Sequence, residues 1–150
     1  MRRLILAVSL AGLVLLAGCS RQTVNKTPKI RYGKDACAEC RMIIGDKRFT
    51  AAFMDANGET VKFDDIGCMK MYLQKNAVAT KNAWVHDYQS DEWIDQRNAV
   101  FVHSESLVTP MGYGIVAFST TQESEQFLVS YAGQKISWNG MSETLHKDHE

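Results

Sequence analysis

Apolar residues recur along this chain with two different spacings, and the spacings alternate in the same order twice. Residues 49–55 (FTAAFMD) and 59–63 (ETVKF) flank Ala56-Asn57-Gly58. Asn-Gly between two such runs is a strong hairpin signal, so these segments are expected to pair antiparallel. Asp64-Asp65 offer a helix cap, and residues 66–76 then place Ile66, Met69, Tyr72 and Leu73 on one helical face. Residues 83–88 (AWVHDY) read as a strand, which completes the order β-β-α-β.

Residues 99–104 (AVFVHS), 114–119 (GIVAFS), a helix over 121–132 and residues 135–138 (KISW) repeat that order. Phe63, Tyr72 and Leu73 stand at the same offsets as Phe118, Phe127 and Leu128. The pattern predicts an α+β fold of two small ββαβ units, spanning 36–92 and 93–139, followed by a polar tail over 140–150.

Upstream of these units the chain changes character. Arg2 and Arg3 precede an apolar run of 13 residues (LILAVSLAGLVLL) that ends at Leu16-Ala17-Gly18-Cys19. The run is shorter than the 18 or more residues expected of a spanning helix, so residues 1–18 read as a secretory signal peptide. The Leu-Ala-Gly-Cys tetrad resembles the bacterial lipobox, which implies lipidation of Cys19 as the first residue of the mature protein. Several acyl chains on one residue give stable membrane anchoring. The expected location is the periplasmic face of a bacterial membrane, and Ser20 suggests the outer membrane if the host has one. Residues 19–35 then read as a flexible, polar tether. Removal of residues 1–18 leaves 15 basic and 17 acidic side chains in 132 residues. With no basic block, the electrostatic footprint of nucleic-acid binding is missing.

The chemistry concentrates in residues 35–45 (DACAECRMIIG), where Cys37 and Cys40 are followed by Met42 in a chain with four cysteines. Cys-x-x-Cys serves disulfide exchange, zinc and softer metals alike. A redox site needs a strand before the first thiol and a helix N-terminus beneath it, whereas RYGKDA precedes Cys37 and RMIIG follows Cys40. Zinc asks for four N or S ligands, and a second paired motif is absent. Thiolate and thioether donors together select a soft monovalent ion, and Cu(I) fits best. Plainer readings of the same residues are a Cys37–Cys40 disulfide staple and a buried Met42. Cys68, beside Met69 and Met71, reads as helix packing. His86 and His103 read as structural histidines in strands, and His146 and His149 belong to the polar tail. Residues 109–114 (TPMGYG) form a loop of turn formers, whose Met111 either packs inward or closes over a metal held by the first unit.

The lipobox, CAECRM at 37–42, FDDIGCM at 63–69 and TPMGYG at 109–114 together resemble the NosL family of periplasmic copper-binding lipoproteins. The resemblance implies two homologous ββαβ units related to the fold of organomercury lyase. It also implies a binding and transfer protein without turnover chemistry. Its cargo would be Cu(I) for assembly of the copper-sulfide centre of nitrous oxide reductase, with an ABC-type maturation complex as membrane partner. The family's Cys-x-Met copper motif falls on Cys40 and Met42, with Met111 and Cys37 as further candidate ligands. The family often carries glycine before that methionine, where this chain has Arg41. The alternatives are a thiol-disulfide oxidoreductase using Cys37 or Cys40 and a lipoprotein whose cysteines only staple a small domain.

Overall fold

In the computed structural model, residues 27–78, 80 and 82–147 are described, with backbone alone at 146–147. The signal segment, Cys19 and His149 lie outside the described residues. Local chemistry sets the elements. Strands β1 (Ala51–Met54) and β2 (Thr60–Phe63) are joined by a turn in which the Asp55 carboxylate accepts the Asn57 and Glu59 N–H groups and Gly58 takes a φ of +86°. Helix α1 (Ile66–Asn76) starts where Asp65 accepts the Gly67 N–H and stops at Ala77 in the left-handed region. Strands β3 (Asn82–His86) and β4 (Trp93–Asp95) complete the first sheet. Strands β5 (Val100–His103) and β6 (Ile115–Phe118) precede α2 (Thr121–Ser130), which Thr120 and Glu123 open with a reciprocal capping box. Strand β7 (Gln134–Ile136) and helix α3 (Met141–Lys147) follow.

Both sheets are antiparallel, and both are wired alike. In the first, of order β2-β1-β3-β4, the strand after the helix pairs with β1 on the side away from β2; in the second, of order β6-β5-β7, β7 does the same to β5. The sheets meet at one seam. Asp87 bridges Ala117 in parallel, the Tyr88 N–H donates to the Ala117 carbonyl at 2.9 Å, and the buried Asp87 carboxylate accepts the Ser119 N–H at 2.6 Å. Strand alternation then gives the second sheet two apolar faces. Phe101, Ile115 and Ala117 join Phe53, Phe63, Ile66 and Met69 in the main core, while Val102, Val116 and Phe118 pack under Phe127 of α2.

Three boundaries differ from the sequence reading. The folded body reaches back beyond residue 36, because Pro28 is buried, Ile30 and Tyr32 pack against the core, and Tyr32 Oη bonds His86 Nε2 at 2.9 Å. Residues 93–95 belong to the first sheet, since β4 pairs with β3. The segment 140–150 contains α3, whose Met141 and Leu145 are fully buried and whose helix packs on α1. In SETLHKDHE a single apolar residue is visible, and its partner four positions earlier lies just before that stretch, so the pattern looked polar.

Burial opposes ionisation of Asp87, but backbone N–H groups of Gln89, Ser90 and Ser119 outweigh it and hold the carboxyl below its usual range. A depressed folded pKa contributes stability that is present above the unfolded value and lost as pH falls through the folded one. Asp87→Asn is expected to lower stability by about 1–3 kcal/mol at neutral pH. In denaturant melts that gap narrows below a pH of about 4; a gap independent of pH would contradict the role of the charge.

Candidate metal centre

Residues 35–44 form a tight hairpin set against the edge of the first sheet. Ala36 bridges Ile43, the Cys37 N–H donates to the Met42 carbonyl at 2.8 Å, and the Arg41 N–H donates to the Cys37 carbonyl at 3.1 Å. Arg41 closes this turn with a φ of +70°. For a residue with a Cβ that conformation costs about 1 kcal/mol, whereas glycine adopts it freely. The hairpin is moored by Asp35, which accepts the Arg31 N–H at 3.0 Å and pairs with Lys62 Nζ at 2.6 Å, while the Ala38 N–H donates to the Lys62 carbonyl at 2.9 Å. The Arg31 backbone N–H and the Lys62 ammonium hold the Asp35 carboxyl well below the usual carboxylate range.

Because Lys62 lies in β2, the same mooring brings the Cys-x-x-Cys turn over the connection from β2 to α1. The donor atoms of Cys37, Cys40, Asp64 and Cys68 all lie within 4.8 Å of one another. Cys37 and Cys68 are buried, Cys40 is partly open, and all three thiols are free. Cys40 Sγ donates to Asp64 Oδ1 at 3.2 Å, and Asp64 Oδ2 is buried without a hydrogen-bond partner. A buried lone acceptor of this kind costs about 1–3 kcal/mol, which a cation among the thiols would relieve.

The thiols are not equivalent. A hydrogen bond from Cys68 lowers the Cys37 thiol to about 7 against the opposing effect of burial, and the same contact, with burial, pushes Cys68 upward. Burial raises Cys40 to about 12. Cys37 is therefore the thiol biased toward thiolate, beside the first turn of α1, where the helix dipole favours anions.

Asp65 ties the third segment to this place. One oxygen caps α1 through the Gly67 N–H at 2.8 Å; the other accepts the Met111 N–H at 3.2 Å, and the Thr109 side chain also bonds this carboxyl. Burial raises the Asp65 pKa to about 6. Gly67 leaves room for Tyr113, whose ring lies where a side chain would begin: a Cβ at residue 67 would stand 2.3 Å from Tyr113 Cδ2. Asp64, Asp65, Gly67 and Cys68 thus divide the work. Asp64 and Cys68 face the hairpin thiols, while Asp65 and Gly67 receive the loop.

Of the residues singled out by sequence, Cys37 and Cys40 come together. Met42 sits on the return side of the hairpin and is 48% exposed, and Met111 is partly buried against the main core beside Asp65. Cys68, read as helix packing, instead reaches the thiols, and Asp64, read as a cap, faces them too. The signal was their spacing of four, which sets both on one side of a helix start. It was masked because the first turn of α1 is enclosed on every side, with residues 66–70 all buried, so no apolar stripe distinguished inside from outside. His86 is a structural histidine. It bonds Tyr32 Oη and the Asp91 carbonyl, stacks on Trp93 at 3.8 Å, and has its pKa lowered by burial.

Gly67→Ala tests the docking of the loop. The added methyl collides with Tyr113, so a loss of about 1–3 kcal/mol in denaturant melts is expected, with faster proteolysis within 109–114. A variant as stable and as resistant as the parent would contradict the contact.

The NosL family profile matches residues 30–146. The crystal structure of the copper chaperone NosL from Shewanella denitrificans shares the fold with a TM-score of 0.66 at 22% identity, over 76% of this chain and 94% of that one. No curated protein matches the chain. The family match runs from Ile30, just before the Arg31 that bonds Asp35, to the last turn of α3 and takes in the thiols, the helix start and the docked loop; the chain belongs to the NosL family.

Proposed function

We propose that this protein is a Cu(I) carrier that holds the ion at Cys37, Cys40 and Cys68 and passes it on by ligand exchange. The observation that carries this is the convergence of three free thiols within 4.8 Å, one of them already biased toward thiolate. Soft thiolate donors select Cu(I). Binding releases the thiol protons, so the ion replaces a hydrogen-bonded network by a coordinated one. Cys40 is the most open of the three thiols, and Met42 beside it is half exposed. Exchange with an acceptor therefore starts at the Cys40–Met42 edge, with the thioethers of Met42 and Met111 as neutral donors that are easily displaced.

The cargo and destination follow the family: delivery for assembly of the copper-sulfide centre of nitrous oxide reductase, through an ABC-type membrane complex. The Shewanella relative is described as a copper chaperone. Cys19 would carry the lipid that holds the carrier at the periplasmic face; among the described residues no helix is long and apolar enough to cross a membrane. We read the two ββαβ units as copies of one ancestor, and the kinship with organomercury lyase as one of fold, which does not carry function. Disulfide exchange is the poorer reading. It needs an accessible thiol of low pKa, whereas the lowered thiol, Cys37, is buried and the open one, Cys40, is raised to about 12.

Anaerobic titration of the reduced protein with Cu(I) against a competing chelator is expected to show one tightly held ion. Cys37→Ser, Cys40→Ser and Cys68→Ser should each weaken it at least about tenfold, or roughly 1.4 kcal/mol, with smaller losses for Met42→Leu and Met111→Leu. Absence of binding, or full affinity in Cys40→Ser, would overturn the proposal. Intact mass of the membrane-extracted protein reports the anchor: loss of residues 1–18 with added acyl mass supports it, and an unmodified Cys19 excludes it.

A further inference from the structure

Charge is divided unevenly along this chain. Residues 19–48 carry eight basic and three acidic side chains, and residues 49–150 carry seven basic and fourteen acidic ones. The positive end is the one by which the chain enters the folded body, and its first described residues lie over one face of the first sheet. Phe53 and Val85 share the main core with Ile66 and Met69 of α1, so Met54 and His86, one residue further on, face away from that helix. Thr27 borders Met54 and Thr60 in one recess, Tyr32 Oη bonds His86 Nε2 at 2.9 Å, and Trp93, across from His86 in the register, stacks on its ring. Residues 27–32 therefore cross the face of the first sheet opposite α1.

A second recess on this face, of about 430 Å³, is bordered by Lys29, Tyr32, Lys47, His86, Asp91 and Trp93. Lys29 and Lys47 are exposed, and among the described residues neither is in an ion pair. Tyr32 and Trp93 are half-buried, with Lys47 Nζ 5.7 Å from the centre of the Tyr32 ring. Asp91 and Glu92, exposed between β3 and β4, balance these two lysines, while Asp46 and Asp95 are taken by Arg48 and Arg97. The surplus comes from the entering segment: from Arg21, Lys26 and Lys34, and from Arg31, which shares the single charge of Asp35 with Lys62.

Amphipathic aromatic rings beside lysines suit the boundary between lipid headgroups and water, and each basic side chain near an anionic leaflet adds attraction. Chain length selects the same surface. From Cys19 to Thr27 the chain spans at most about 28 Å, less than the roughly 35 Å width of a body of this size. An anchor at Cys19 thus leaves too little chain for the α1 side to turn onto the bilayer. We propose that the face of the first sheet opposite α1, with Lys29, Tyr32, Lys47 and Trp93 on it, seats on an anionic phospholipid bilayer. The inference deepens the anchoring in the proposed function and rests on it. The acid-rich remainder of the chain is repelled by the same lipid charge, so the body takes one orientation, with α1 away from the membrane.

Acylation of lysines by a water-soluble reagent, read by peptide mass spectrometry, tests this on the membrane-extracted full-length protein bound to vesicles. The vesicles are phosphatidylcholine alone, or phosphatidylcholine with about one third phosphatidylglycerol. A lipid on Cys19 holds the protein on both, so the footprint alone distinguishes them. Lys29 and Lys47 are expected to react at least about threefold more slowly on the anionic vesicles, and to recover as salt rises from about 0.1 to 1 M and the screening length falls from about 10 to 3 Å. Lys75, in α1 on the opposite side of the sheet with its side chain 72% exposed, should react equally on both. Arg21→Gln with Lys26→Gln should remove half or more of the protection. Equal reactivity of Lys29 and Lys47 on the two vesicles, or equal protection of Lys75, overturns the inference. Intact mass of the same sample separates it from the anchor: an acylated Cys19 without protection overturns this inference and leaves the anchor standing, whereas an unmodified Cys19 removes the anchor and this inference with it.

Discussion

Helix α1 begins at a buried carboxylate, and the arrangement of the whole site depends on it. Asp65 is fully enclosed, and both of its oxygens are used: one holds the Gly67 N–H in the first turn of the helix, the other holds the 109–114 loop at Met111. A helix start leaves several N–H groups without intrahelical partners. Satisfying one of them with Asp65 fixes the direction in which Asp64 and Cys68 leave the backbone, and therefore whether they can meet the hairpin thiols. The same carboxylate makes the second unit part of the site, although that unit contributes no cysteine.

The remaining donors depend on a mooring of the same kind. Asp35 holds the hairpin to Lys62 on the exposed edge of β2, which leads directly into the helix start. The metal donors thus come from a short hairpin and from the start of α1, each tied in place by a buried acid. The fold braces both segments. Its two sheets share one core, the seam at Asp87 locks them together, and α3 packs on α1.

Much of this was legible in the chain. Asn57-Gly58 between alternating runs announced the β1–β2 hairpin, and helix α1 spans the residues that its apolar spacing marked out, Ile66–Asn76. The matched offsets of Phe63 and Phe118 fall on the last residues of β2 and β6, which hold corresponding outer places in the two sheets. Strand β4 was not legible, because three residues carry too little periodicity. Helix α3 was not, because only Met141 and Leu145 face the core in a polar stretch. For the site, Cys37 and Cys40 were readable from spacing. Cys68 was not, because a helix turn enclosed by a hairpin, a loop and a core buries all its positions, and periodicity cannot rank them. The turn at Arg41 shows the converse: a left-handed residue with a side chain is tolerated where the sequence resemblance had led one to expect glycine.

The central claim is that the helix thiol and the hairpin thiols hold one ion together. X-ray absorption at the copper edge of the Cu(I)-loaded reduced protein, beside that of Cys68→Ala, tests it most directly. The account predicts that the variant loses one short sulfur neighbour from the copper shell. An unchanged sulfur count and unchanged bond lengths in Cys68→Ala would contradict it, and would place the ion on the hairpin side alone.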